Sequence, residues 1–537
     1  MGSYSYATYP FVRPPELDGG AVSERPVAIV GAGPVGLTLA LDLAQRGVPV
    51  VVLDDADLVS VGSRAICWAK RTLEIWDRLG IARRMVAKGV TWQVGRVFHG
   101  TDELYRFDLL PEGGHAMPAF INLQQYYVEQ YLIERCADFP NLIDSRWKSE
   151  VVAHHDDGRG VTVEVSTPEG PYRLRAAWLV ACDGARSPTR RRMGLAFAGQ
   201  VFEERFLIAD VRMQAPFPNE RLFWFDPVFH AGGSALLHKQ PDDVYRLDFQ
   251  LGPGADPEAE RQPERVIPRV AAVVGETPFE LEWCSVYAFR CARLERFVHG
   301  RVVFAGDSAH VVSPFGARGG NGGIHDADNL GWKLALVATG EAPASILDSY
   351  DEERGRGADE NIANSARTTT FMTPKSAADR RFRDGVLALA ADFPFARALL
   401  NAGRLSRPCS LAGLSLQGAG PVVGTACPDA PVLVRGEPGW LLPRLGRGFT
   451  AIVFTGEDEA GPAADALAGT GCDLLVVSSE AGTEIADPEG LAARRYAATP
   501  GATILVRPDT HIAARFDRFD AAAIRAALGR ATGAPAP

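Results

Sequence analysis

Cysteine is sparse and scattered in this chain. Eight occur in 537 residues, at 67, 136, 182, 284, 291, 409, 427 and 472, and no two form Cys-x-x-Cys. That spacing excludes a zinc ribbon and a dithiol redox pair. A chain of this length can build its core without disulfides, so reduced thiols in a cytoplasmic protein are expected. No stretch approaches the roughly 18 uninterrupted apolar residues of a membrane span. The first twenty residues carry Arg13, Glu16 and Asp18 and no apolar h-region, unlike a secretory signal. Positive charge is also short: 56 Lys and Arg against 66 Asp and Glu leave a net charge of −10. Neither nucleic acid nor an anionic membrane is expected as a partner. No repeat of fixed period is present.

What is present is the texture of a large α/β protein. Pro26-Val27-Ala28-Ile29-Val30 reads as a buried parallel strand, followed by a Gly-rich turn and a helix over 34–46. Gly47 ends that helix, and Val50-Val51-Val52-Leu53 reads as the next strand. This order implies a right-handed βαβ unit in a doubly wound sheet. Over 91–119 and 196–289 the pattern changes to alternation, as in Val244-Tyr245-Arg246-Leu247-Asp248-Phe249, which predicts an inserted, half-exposed mixed β-sheet. Residues 345–400 look helical and charged. Gly418-Ala419-Gly420-Pro421 reads as a linker, and buried-strand patterns beyond it predict a small separate α/β domain. The aromatic first 23 residues suggest a surface arm, and 531–537 a frayed tail.

Three segments carry chemistry. The first is Gly31-Ala32-Gly33-Pro34-Val35-Gly36 between strand and helix, with Asp54 closing the second strand. Glycine at these positions permits a tight turn, close approach to a pyrophosphate and helix-on-strand packing, while the acid suits a ribose hydroxyl. The second is Cys182-Asp183-Gly184-Ala185-Arg186-Ser187 with Arg190, a strand end followed by a basic cluster; alone it is equally a solvated turn. The third runs from Arg301 through Gly306-Asp307 and Pro314 to Gly319-Gly320-Asn321, then a helix. An acid at a strand end can bond a polyol. Glycines let backbone touch a flat ring, and the amides of a helix start stabilise negative charge.

In this order and spacing the three segments resemble the fingerprints of class A flavoprotein aromatic hydroxylases, the p-hydroxybenzoate hydroxylase family. The nearest likeness is to its 3-(3-hydroxyphenyl)propionate hydroxylase-like branch, over about 24–375. The resemblance implies a discontinuous Rossmann-type FAD-binding domain (24–90, 120–195 and 290–375) and a substrate-binding domain (91–119 and 196–289). A helical connection (376–417) would follow, then a thioredoxin-like domain (418–537) similar to that of phenol hydroxylase, without redox cysteines. It also implies that FAD is held by Gly31, Gly33, Pro34, Gly36, Asp54, Arg64, Gln125, Asp183, Asp307, Pro314, Gly319, Gly320 and Asn321, with Asp183 also serving NAD(P)H. NADPH or NADH would act as a transient reductant, since no second Gly-x-Gly-x-x-Gly follows a strand. Oxygen would then add at flavin C4a, and the resulting hydroperoxide would attack a phenolic ring beside Pro314. Ala317-Arg318 stands where the family often has Gly-Gln, so Arg318 could meet a substrate carboxylate or tune flavin movement.

By chemistry alone, the base that takes the phenolic proton could be His230, His238, Tyr245 or Tyr287. Arg246 and Arg290 could recognise a carboxylate; for each of these residues packing or surface is the commoner role. The expected partners are a small aromatic substrate, O2 and a second copy of the chain in a homo-oligomer. A hydroxylase tailoring a polycyclic polyketide would carry the same motifs. A flavin dehydrogenase and a non-catalytic scaffold are further alternatives. Flavin-dependent halogenases share the fold, but no two tryptophans here lie two apart, as their Trp-x-Trp-x-x-Pro segment requires.

Overall fold

A computed structural model describes residues 4–19, 22–252, 254–399, 405–455, 466–480 and 483–533. The first strand, Ser23–Val30, is fully apolar where it enters the core, and it pairs in parallel with Val50–Leu53 on one side and Gly170–Ala181 on the other. Val302–Phe304 and Ile143–Arg146 extend the parallel sheet outward. Three antiparallel strands, Glu150–Asp156, Val161–Thr167 and Val298–His299, complete its eight members. Helices Pro34–Gln45 and Gly319–Thr339 pack on each other over this sheet. Continuous apolar runs form these strands because a parallel sheet is covered on both faces and has no solvated side to accommodate polar residues.

A second eight-stranded sheet is inserted between pieces of the first. Its order runs from His310–Val311 through Phe279–Arg293, Ala198–Met213, Val244–Leu251, Ser234–Lys239, Arg221–Phe225 and Val94–His99 to Asp102–Asp108. Alternation along Val244–Leu251 sends Tyr245, Leu247 and Phe249 to one face, against helix Pro263–Val274. Arg246 and Asp248 go to the other. The expectation of a half-exposed sheet fails here. Arg246, Asp210 and His238 on the polar face are all buried, because that face is roofed by the loops of the first domain.

The charged 345–400 segment forms helices Ile346–Met372, Ala377–Ala390 and Pro394–Leu399. The Gly418–Pro421 stretch is docked: the Gly418 amide bonds the Ala513 carbonyl at 2.8 Å. Beyond it lies a four-stranded sheet ordered Cys472–Val477, Phe449–Phe454, Thr503–Val506, Ile512–Phe516, with only the first pair parallel. A buried ionic cluster fastens this region to the rest. Arg507 bonds both Glu353 and Asp509; Lys333 bonds Glu353 at 2.7 Å; Arg71 reaches Asp328 and the Asp509 carbonyl. At the N-terminus Tyr9 stacks on Trp147 and Tyr4 lies tilted against Tyr126. The predicted frayed tail falls mostly outside the described residues; its first residue, Ala531, ends a helix.

Candidate functional site

Four strands end side by side. Val30 is in register with Leu53 and Ala181, and Ala181 with Phe304. Gly31, Asp54, Asp183 and Asp307 therefore emerge along one edge, at the carboxyl ends of parallel strands where such sheets bind ligands. Gly31 takes φ 105° and its amide donates to the Leu53 carbonyl. A Cβ there would lie 2.5 Å from the Cys182 carbonyl oxygen, and one on Gly36 would overlap the Gly31 carbonyl. Gly33 differs: nothing lies within 4 Å of its missing Cβ, so backbone is open to an incoming group. The helix beginning at Pro34 has no side-chain cap, which leaves its first amides facing the same opening. Asp54 accepts from the Ala32 amide at 2.6 Å and the Ala56 amide at 2.9 Å, with lone pairs to spare. Burial pushes its carboxyl up.

Asp183 accepts from the Thr189 amide through Oδ2, but its Oδ1 is buried without a hydrogen-bond partner among the described residues. Arg190 ties this segment to the third one: it donates to the Ser308 and Ala185 carbonyls and lies over the Phe197 ring. Asp307 is accessible yet walled in by protein, and burial raises its carboxyl despite the nearby charges of His310 and Arg64. Arg64, whose charge acts on it, is exposed as well. Gln125 acts on Arg64's loop: it accepts from the Ala65 amide and donates to Ser60 and Glu129. Asn321 spends its side chain inside the protein. It accepts from the Ala69 amide and Thr72 hydroxyl and donates to the Cys67 and Ala317 carbonyls, locking the helix start to strand Cys67–Ala69. What Gly319 and Gly320 present is backbone, at a helix start without a side-chain cap. An open glycine, an orphaned carboxylate oxygen, an accessible acid at a strand end and two uncapped helix starts fit a dinucleotide carrying a ring.

Pro314 is exposed on the loop before that helix, next to Phe315, which packs edge-on against Phe206 and Phe289. Beside it, Tyr105, Phe107, Phe223, Phe225, Phe315 and Phe371 wall a cavity of about 70 Å³, which Arg221 also lines. Of the candidate bases, Tyr287 reaches this side, in contact with Phe289. His238 is here too, buried 3.9 Å from the Cys67 thiol and held neutral by burial. His230 and Tyr245 are not. They sit on the opposite face, His230 bonded to the Gln250 carbonyl and packed on Phe249, Tyr245 donating to the Ala215 carbonyl.

Among the arginines, Arg246 is engaged by Asp210 and the Ser63 and Arg64 carbonyls. Arg318 is buried against its own loop, donating to the Phe315 carbonyl, and burial pushes it down to about 10. Arg290 is exposed, near Arg190. Sequence reasoning missed Asp248 and Arg221, two charged residues on the cavity side of the sheet. Only the parity of Asp248 with Arg246 along the strand pointed to it.

The FAD binding domain family matches residues 24–365, more than half of the chain. The chain belongs to that family. This flavoprotein is 31% identical to the 6-methylpretetramide 4-monooxygenase of Streptomyces rimosus, across 96% of this chain and 94% of that enzyme. It is also 31% identical to a 3-(3-hydroxy-phenyl)propionate/3-hydroxycinnamic acid hydroxylase of Escherichia coli, over 67% of this chain and 64% of that enzyme. The flavin-dependent monooxygenase PieE, solved with FAD and substrate, superposes with a TM-score of 0.79 at 23% identity, covering 95% of this chain and 99% of that one. The flavoprotein is thus an FAD-dependent monooxygenase of the class A hydroxylase type, with the Rossmann-type domain and inserted sheet of that fold. Among the described residues no helix is long and apolar enough to cross a membrane.

Proposed function

We propose that this protein uses NADH or NADPH and O2 to hydroxylate a phenolic ring. The ring would be seated between the Pro314–Arg318 loop and the aromatic wall of the inserted sheet. The observation that carries this reading is that wall: six aromatic side chains surround a cavity adjoining the loop that resembles the flavin-contacting loop of the family. Aromatic faces hold a planar ring by offset and edge-on contacts and exclude water from it.

Bound along the strand ends, FAD would supply the hydride acceptance and the oxygen transfer. The chain's own residues do the rest. Gly33 and the Pro34 helix start receive the pyrophosphate, Asp54 and Asp307 the hydroxyl groups, and the Gly319 helix start the electron-rich edge of the ring. The orphaned Oδ1 of Asp183 accepts a further donor. The reductant binds and leaves.

Two sizes of substrate each have support. Similarity along nearly the whole chain to an enzyme named for 6-methylpretetramide favours a polycyclic phenol. The cavity of about 70 Å³ favours a single ring. The test is NADH and NADPH consumption by the FAD-loaded protein, with product masses, against phenol, 3-(3-hydroxyphenyl)propionate, 1-naphthol and 1,8-dihydroxyanthraquinone. Substrate-stimulated turnover with a gain of one oxygen supports the proposal and selects the size. Flavin reduction without oxygen in any product sinks it in favour of a dehydrogenase.

A further inference from the structure

Across the cavity-facing side of the inserted sheet, Phe223, Leu236, Asp248 and Ile208 stand in register on four adjacent strands. Three are apolar and one is a carboxylate. Asp248 makes no ion pair within 4 Å among the described residues, and its Oδ1 is buried with no hydrogen-bond partner. The residue keeps some accessible surface, so the carboxylate is not sealed off.

Structural carboxylates in such places are normally bonded, as Asp210 beside it is, to Arg246 at 2.7 and 2.8 Å. An unbonded one costs stability, and such groups concentrate where a ligand or a proton is handled. We infer that Asp248 is the group that accepts the phenolic proton of the substrate. This rests on the hydroxylase reading above. The substrate O–H bond breaks and a carboxyl O–H bond forms. The electron pair stays on the phenolate oxygen, which activates the ring carbons ortho and para to it, and no electrons are exchanged in the step. The proton passes to solvent after product leaves.

The surroundings suit that assignment. Arg221, on the Phe223 strand, has a buried Nε without a partner among the described residues and lines the cavity, so it can face the developing phenolate. The other charged or titratable groups around Asp248 are Arg246 on its own strand, Asp210, His238, Tyr287 and the Cys67 thiol. Arg246 is neutralised by Asp210. Burial holds His238 neutral, pushes the Cys67 thiol up to about 12 and raises Tyr287 well above the usual phenol range. Burial also lifts the Asp248 carboxyl to about 7, against the pull of Arg246 and Arg221. Of these groups it is the one matched to accepting a proton near neutral pH.

The test uses FAD-loaded wild type, Asp248→Asn and Asp248→Glu with whichever of the four panel phenols gains oxygen. A more acidic, electron-poor derivative of that phenol is measured beside it. Expected for Asp248→Asn is a fall in kcat of ~100-fold or more, loss of the wild-type ascending pH limb near 7, and unchanged flavin reduction. The loss should shrink with the more acidic phenol, and Asp248→Glu should recover part of the rate with a pH limb of its own. An Asp248→Asn enzyme that keeps its kcat and pH limb, or that loses flavin reduction in parallel, overturns the assignment while leaving the hydroxylase reading in place. Failure of the wild type to oxygenate any of the four phenols overturns both.

Discussion

Asp248 should make this protein less stable as the pH rises through the range in which it works. Its carboxyl is lifted from an ordinary 3.8 to about 7 by burial, so between those values the folded chain binds a proton that the unfolded chain has released. Stability contributed by this group therefore falls with rising pH across that window, and the full penalty is present above about 7. At about 1.4 kcal/mol per pH unit of displacement, the ceiling is about 4 kcal/mol. Asparagine copies the shape and neutrality of the protonated acid without the ionisation. The gain of Asp248→Asn over wild type should grow by about 3 kcal/mol between about pH 5 and pH 8. Urea unfolding of the FAD-loaded proteins, followed by flavin fluorescence and far-UV dichroism at both values, measures it. A stability difference between the two proteins that stays constant with pH, or changes sign, would refute the claim that the ionised carboxylate lies unpartnered in a desolvated site. The measurement is independent of turnover, so it separates the electrostatics of the site from its chemistry.

Gly36→Ala should weaken FAD binding at least ~10-fold, because the new methyl overlaps the Gly31 carbonyl and pushes the helix start off the strand ends; fluorescence titration of the apoprotein with FAD reads this. Glu353→Gln leaves Lys333 and Arg507 buried without their shared carboxylate, which should cost about 3–5 kcal/mol and open the C-terminal region to limited proteolysis first. Glu353 is also held below the usual carboxylate range, chiefly by Arg507 and Lys333 acting against burial. Its contribution to stability is present above its ordinary value of 4.5 and is lost as the pH falls below it, a loss that Glu353→Gln should not show. Tyr245→Phe removes a bond to the Ala215 carbonyl on the far face of the sheet and should cost about 1 kcal/mol with kcat unchanged; a large fall in kcat would mean that this face meets the substrate.

The strand-end cluster proposed to hold the flavin was legible in the sequence because it is built from local features. Gly31, Asp54, Asp183 and Asp307 each lie within three residues of the end of a parallel strand, and parallel strands bring their carboxyl ends together by construction. Chemistry that depends on turn geometry and strand ends is written in short stretches of chain. Asn321 shows the limit of such reading. It sits in the expected motif, yet its amide is used entirely to join helix to strand, which no spacing in the chain announces.

The substrate side was decided by tertiary structure. Alternation in Val244–Leu251 reveals which residues share a face, so Tyr245 could never have stood with Arg246 and Asp248. It does not reveal what covers each face. A strand with one apolar and one polar side looks the same whether the polar side meets water or meets another domain. Here the polar side lies under the Ser63–Arg64 loop and beside the Pro314–Arg318 loop, and that roof turns an ordinary aspartate into a desolvated one. The sequence determined which glycines and acids stand at the carboxyl ends of the parallel strands, because strand ends carry that information locally. Which carboxylate is buried, and so which one can exchange a proton near neutral pH, depends on segments nearly two hundred residues apart meeting, and only the folded chain supplies that.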